Sequence, residues 1–233
     1  MLWISVYVQA QYCTNDSRYT EVNVFSLLEI DSTANAVYAN ALNKNSVMQE
    51  LNIDVFYPGN AFDTAVLRPF VLMIHGGGFT IGQKEQMHYD CIQLARKGYV
   101  TATIEYRLGD ANDSGLELLN RQYRAEQDAR AAMRWIVDNA TTYGIDTSWM
   151  FIGGYSAGSL ISHGLIYTQQ SEWDAITPLV SAALGDIDTS GNNLTHNWSL
   201  KGLYNNCGSI YGPNVDVNEM IPTVAFHKEY DHL

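Results

Sequence analysis

The sequence predicts an α/β protein, a mainly parallel β-sheet with helices on both faces. Three observations predict it. The runs FVLMI (residues 70–74) and WMFIGG (149–154) are apolar without alternation, as expected of parallel strands covered on both faces. Strand and helix patterns alternate along the chain, which implies right-handed crossovers onto one sheet. Gly98 and Gly144 stand just past two helical patterns, where a left-handed C-cap belongs.

Taken in order, β-favouring runs predict strands at residues 19–25, 51–57, 70–75, 99–105, 149–153, 200–204 and 223–227. Between them, residues 86–97 place Met87, Cys91, Leu94 and Ala95 on one helical face. Residues 121–142 do the same with Ala129, Met133, Ile136, Val137 and Ala140. Along that second helix, Glu126 with Arg130 and Arg134 with Asp138 are four residues apart, the spacing of ion pairs on a solvated face. A further helix starts at about Ala157.

Bulk properties narrow the function. A chain of 233 residues with 46% hydrophobic composition can bury one sizeable core, and at this length one domain, here residues 11–233, is expected rather than two. The net charge of -12, with 13 Lys plus Arg, argues against nucleic acid and against anionic membrane surfaces. Cys13, Cys91 and Cys207 are too few and too scattered for a disulfide framework or a zinc site, and no metal or organic cofactor is expected. No repeat or linker divides the chain, and no apolar run approaches the roughly 18 residues of a membrane span. The start, LWISVYV followed by QAQ, has two readings. One is the remnant of a signal peptide over residues 1–10, cleaved after Ala10, which makes the protein secreted or periplasmic. The other, left open by the missing basic n-region, is an ordinary edge strand in a cytoplasmic protein.

Two motifs carry chemistry. Gly154-Tyr155-Ser156-Ala157-Gly158 stands between a predicted strand and a predicted helix. So sharp a junction strains the central Ser, and small residues two places either side let neighbouring backbone pass. The hydroxyl then projects at a helix amino terminus, where backbone N–H groups favour developing negative charge. The second motif is HGGGF, His75 to Phe79, directly after a strand. Its glycines leave backbone amides at Gly77 and Gly78 free to face a cavity. The spacing of a phosphate loop, GxxxxGK[ST] or GxGxxG, is absent. Phe79 and Tyr155 either line a substrate pocket or pack in the core.

HGGGF, ATIEYRL, DARAAMRW, GGYSAGS and PTVAFHKEYD, in that order, resemble the α/β-hydrolases, and among them the esterases and lipases with an HGGG loop, of the hormone-sensitive-lipase-like and carboxylesterase groups. The resemblance runs from about Leu51 to the last residue. It implies a serine ester hydrolase that works through an acyl-enzyme on short-chain esters, a small-molecule substrate. Ser156 is then the nucleophile, Gly77, Gly78 and Ala157 are oxyanion donors, and Asp231 is the acid, with Asp186 a rival for that role. The family carries its catalytic His after one further strand, whereas this sequence stops two residues past Asp231. A fold lacking the last strand, the His loop and the closing helix is therefore expected, with feeble activity from the chain alone.

The histidines present do not fill the gap. His163 lies seven residues past Ser156, about 10 Å along a helix, beyond the roughly 3 Å of a proton transfer. His75 is expected to brace its loop, His88 and His196 to lie on the surface, His227 to sit at the strand end, and His232 beside the acid itself, where it is the leading alternative base among the six. Two other classes compete: a non-catalytic hydrolase-fold binding module, and a serine peptidase of the same fold. Oligomeric state is not legible.

Overall fold

The computed structural model describes residue 12 and residues 17–209, 215–216 and 218–227. Its sheet has seven strands: β1 (Ile30–Leu42), β2 (Met48–Pro58), β3 (Arg68–Ile74), β4 (Val100–Ile104), β5 (Ile145–Tyr155), β6 (Leu200–Asn206) and β7 (Thr223–Phe226). Their spatial order is β1-β2-β4-β3-β5-β6-β7. The β1–β2 and β2–β4 pairs are antiparallel, and every pair from β4 to β7 is parallel. The helices are α1 (His88–Ala95), α2 (Leu116–Asp138), α3 (Ala140–Tyr143), α4 (Ala157–Tyr167), α5 (Gln170–Ile176) and α6 (Pro178–Leu184).

The predicted layering holds because every residue of β3 and β4 is buried. Successive side chains of a strand point to opposite faces, so Phe70, Leu72 and Ile74 join Ala129, Met133, Ile161 and Leu165 in one core. Val71 and Met73 join Met87, just before α1, and Cys91 and Ala95 of α1 in the other. Each such side chain contributes about 1.5–3 kcal/mol by leaving water, which is what fastens helices to both faces. Gly98 and Gly144 adopt positive φ, 105° and 66°, and Gly144 caps α3 in the left-handed region.

The structure corrects the sequence reading at several elements. Residues 19–25 form turns instead of a strand, because the amides of Tyr19, Val24 and Phe25 donate to the carbonyls of Lys97 and Arg96 just past α1. β1 was not expected: IDSTANAVYANAL lacks a two-residue apolar period, since this edge strand is largely exposed and bulged. The short α5 and α6 were missed as well. Thr177 starts α6 by accepting from Leu179 N–H, with Pro178 in the first turn, a favoured helix opening.

The largest correction concerns α2. Its supposed solvated face is interior: Glu126, Arg130 and Arg134 are 1%, 7% and 4% exposed. Residues 184–192 drape over the helix, with Gln127 Nε2 donating to Leu184 O, Arg134 Nη2 to Ser190 O, and Asn192 Nδ2 to Ala131 O. Asp138 pairs with His196. The buried Arg107 guanidinium binds Asp128 at 2.7 Å and donates to Leu42 O, tying α2 to the β1–β2 turn. Among the described residues no helix is long and apolar enough to cross a membrane. Cys91 and Cys207 are free thiols; Cys13, like residues 1–10, lies outside the described residues.

Candidate active site

β5 delivers the chain to Ser156, which turns at φ 51° and ψ -116° before α4 begins at Ala157. A positive φ costs a residue with a Cβ roughly 1–2 kcal/mol, so the surroundings must impose it. Ser156 N–H donates to Asn206 O at 2.8 Å, while Ser156 C=O accepts from the amides of Ser159 and Leu160 at 2.9 and 3.0 Å. The glycines of the motif are required by close passage. A Cβ on Gly158 would stand 2.1 Å from Ile74 O, and one on Gly154 would stand 2.5 Å from the Gly158 carbonyl carbon. Ser156 remains half-exposed.

The HGGGF loop packs directly against this junction. A Cβ on Gly76 would lie 3.4 Å from Ser156 Cβ and 2.7 Å from Tyr155 O. Gly77, Gly78 and Phe79 follow with φ of 115°, 60° and 63°, which turns the loop back on itself. Thr80 and Ile81 N–H both donate to Gly77 O at 3.1 Å. Among the described residues, neither the Gly77 nor the Gly78 amide donates to another backbone group. Ala157, first residue of α4, has no intrahelical acceptor for its N–H.

His75 braces the loop from behind. Its Nδ1–H donates to Gly76 O at 2.7 Å, and its ring stacks on Tyr106 at 4.3 Å. The Tyr106 hydroxyl donates to His75 O or Gly76 O, at 3.1 and 3.3 Å. Burial lowers the His75 pKa, which favours the neutral ring in this position. Tyr106 was not singled out from the sequence; it follows β4, and only the fold brings it under the loop. Ser159 and Asn205 were missed too. Ser159 Oγ donates to Asn205 Oδ1 at 2.5 Å, and Asn205 also bonds Gly208 through both its amide atoms. This network pins the first turn of α4 to the end of β6.

The structure thus brings Ser156, Gly77, Gly78 and Ala157 to one rim, at the carboxyl ends of β3 and β5. Phe79 is 7% exposed and packs in the main core near Tyr106. The Tyr155 hydroxyl donates to Asp90 Oδ2 at 3.2 Å on α1, and burial raises the pKa of both groups. Asp231 lies outside the described residues. The strand before it, β7, is described, and Cys207 N–H donates to Phe226 O at 2.8 Å, holding β7 to the end of β6. Asp186 follows α6, ahead of β6, and its carbonyl accepts from Gln127 Nε2 on α2, so it does not stand at a strand's carboxyl end.

The histidines have other partners. His163 Nδ1 lies 2.8 Å from Ser159 O, and burial lowers its pKa. His88 bonds Asp54 and His196 bonds Asp138. His227 is exposed after β7. Asp54, Glu85 and His88 bring three ligand atoms within 4.8 Å of one another. The Lys84 ammonium occupies that cluster, 3.0 Å from Asp54 and 2.8 Å from Glu85, and supplies the positive charge a metal would bring.

Chemically, a half-exposed hydroxyl at a helix amino terminus beside unengaged amides can attack a carbonyl carbon and have the resulting oxyanion stabilised. The chain is also similar to known proteins. A family model described as BD-FAE matches residues 53–199. The para-nitrobenzyl esterase of Bacillus subtilis is 32% identical over 114 residues, covering 47% of this chain and 23% of that protein. The juvenile hormone esterase of Heliothis virescens is 31% identical over 110 residues, covering 47% of this chain and 20% of that protein. The chain thus spans about a fifth to a quarter of the length of these curated relatives. Among solved structures, esterase B from Lactobacillus rhamnosis superposes with a TM-score of 0.55 at 20% identity, over 77% of this chain and 49% of that one.

Proposed function

Because the chain belongs to the BD-FAE family and has the α/β-hydrolase fold, we propose that it hydrolyses short-chain carboxylic esters through an acyl-serine formed on Ser156. The observation that carries this reading is the left-handed Ser156, at a strand–helix junction packed against Gly76, from which the bare Gly77–Gly78 backbone continues. Ser156 Oγ attacks the ester carbonyl and the amides of Gly77, Gly78 and Ala157 receive the oxyanion. Loss of one such donor typically costs about a hundred- to a thousand-fold. The base that takes the Ser156 proton passes it to the leaving oxygen as the tetrahedral intermediate collapses, which expels the alcohol and leaves the acyl-enzyme; water then cleaves that to the free acid.

Asp231 is proposed as the carboxylate that orients the base. His75 and His163 each commit Nδ1 to a backbone carbonyl, and no described histidine is assigned the base. The chain is therefore expected to present an addressable serine at Ser156. Prolonged treatment with a fluorophosphonate, followed by peptide mass mapping, tests the reading. The expected adduct sits on Ser156 and is lost in Ser156→Ala. An adduct elsewhere, or one that survives the substitution, refutes it.

A further inference from the structure

Alongside α4, starting one turn past Ser156, a cavity of about 320 Å³ opens between α4, α2 and α5, a size at which small-molecule sites begin. Leu119, Leu160, Trp173 and Ile176 give it apolar walls, and Gln122, Glu126 and His163 bring polar groups to it. The Thr168 and Ser209 hydroxyls, which can give or accept a proton, complete the lining. The two long helices meet closely here, since a Cβ on Gly164 would stand 2.4 Å from Glu126 Cδ. Both Glu126 oxygens are engaged: Trp173 Nε1 donates to Oε2 at 2.9 Å and Gln122 Nε2 to Oε1 at 3.1 Å.

His163 differs. It is 6% exposed, and its Nδ1–H donates to Ser159 O at 2.8 Å, which leaves Nε2 as a bare acceptor in the neutral ring. Burial lowers the His163 pKa, with His227 adding to the effect, so the ring is neutral at neutral pH. Nε2 has no partner among the described residues, yet it is not sealed from solvent. It therefore opens onto the cavity that its ring lines. A nearly buried acceptor facing apolar walls is unfavourable until a donor answers it. The ligand that answers it and also covers those walls is a hydrocarbon bearing a hydroxyl.

We propose that this cavity binds a small apolar alcohol, its hydroxyl donating to His163 Nε2 and its hydrocarbon part packed on Leu119, Leu160, Trp173 and Ile176. The site is independent of the ester chemistry proposed for Ser156, so the same behaviour is expected in Ser156→Ala. The test is an NMR titration of the 233-residue chain, at a pH of about 8 that keeps His163 neutral, with hexan-1-ol and with its isomer 1-methoxypentane, which has no hydroxyl proton. Hexan-1-ol should move the Trp173 indole N–H and His163 ring signals saturably and bind about five-fold more tightly than the ether, as one hydrogen bond allows. His163→Phe keeps an aromatic ring without the acceptor and should level the two affinities. Ile176→Trp, at a side chain that is 44% exposed, narrows the cavity and should weaken both ligands at least about ten-fold, so it decides the matter if His163→Phe does not fold. No saturable shift, equal affinity of the two isomers for the wild type, a preference that survives His163→Phe, or binding that Ile176→Trp leaves unchanged overturns the proposal.

Discussion

β3 and β7 stand at opposite extremes of one sheet. Every residue of β3 is buried and every residue of β7 is exposed, yet both lead to the same rim. The central strands hold the junction at Ser156 and the glycine loop by backbone packed on backbone, with no slack between Gly158 and Ile74. Among the described residues, β7 meets the rest mainly through its ladder with β6 and the Tyr204–Phe226 ring contact. The difference teaches that the proposed nucleophile and oxyanion donors are placed by the core, whereas the strand preceding the proposed acid owes little to burial against the described residues.

Substitutions along this gradient can break or sharpen the contrast. Gly158→Ala should be the most damaging, at about 4 kcal/mol, because the new Cβ meets the carbonyls of Ile74 and His75 and neither backbone can retreat. A urea midpoint measures it, and a change under 1 kcal/mol would show that the centre is softer than described.

Glu126 comes next. Burial raises its carboxyl from an ordinary 4.5 to about 7, although Trp173 Nε1 and Gln122 Nε2 donate to it. The folded protein therefore keeps a proton that the unfolded chain has lost, and stability falls as pH rises from about 4.5 to 7, then levels off. Glu126→Gln should remove up to about 3 kcal/mol of that decline. Urea midpoints at both ends of the window, for wild type and variant, should converge at low pH and separate at high pH. Parallel curves would place the ionisation elsewhere.

Gly78→Ala probes the rim itself. Nothing lies within 4 Å of the added Cβ, but φ is 60°, so a stability loss of about 1 kcal/mol is expected from strain alone. Gly77→Ala should cost visibly more, since its Cβ would sit 1.9 Å from Ile81 O. Melting temperatures of the pair rank them. The smallest effect should come from Val224→Ala on β7, where a 58% exposed side chain leaves stability within about 0.5 kcal/mol of wild type. A loss of 2 kcal/mol there would mean that β7 is buried in solution against something else.

What was legible in the sequence follows the same gradient. Six of the seven predicted strands are present, because burial on both faces writes itself into runs such as FVLMI. The junction at Ser156 was legible because its constraint is local: one strained residue flanked by glycines. β1 was not, since a solvated edge strand needs no apolar period and owes its place to pairing with β2. The i,i+4 charges of α2 suggested a wet surface, but spacing says nothing about what lies above a helix. Residues 184–192 close over it, and their contacts with Gln127, Ala131 and Arg134 span more than fifty positions. Tyr106 and Asn205 were hidden for the same reason, each acting on a segment remote in sequence. The Asp231 assignment rests on resemblance, with β7 described up to the residues before it.

The ties from Ser156 to Asn206 and from Cys207 to Phe226 are both made by main-chain amides. Any amino acid except proline can keep such a link, so the rim's alignment does not depend on which side chains it displays. Evolution is then free to rewrite the specificity of this surface position by position while inheriting its geometry unchanged, and a Cys207→Pro exchange would be one of the few single steps able to sever that inheritance.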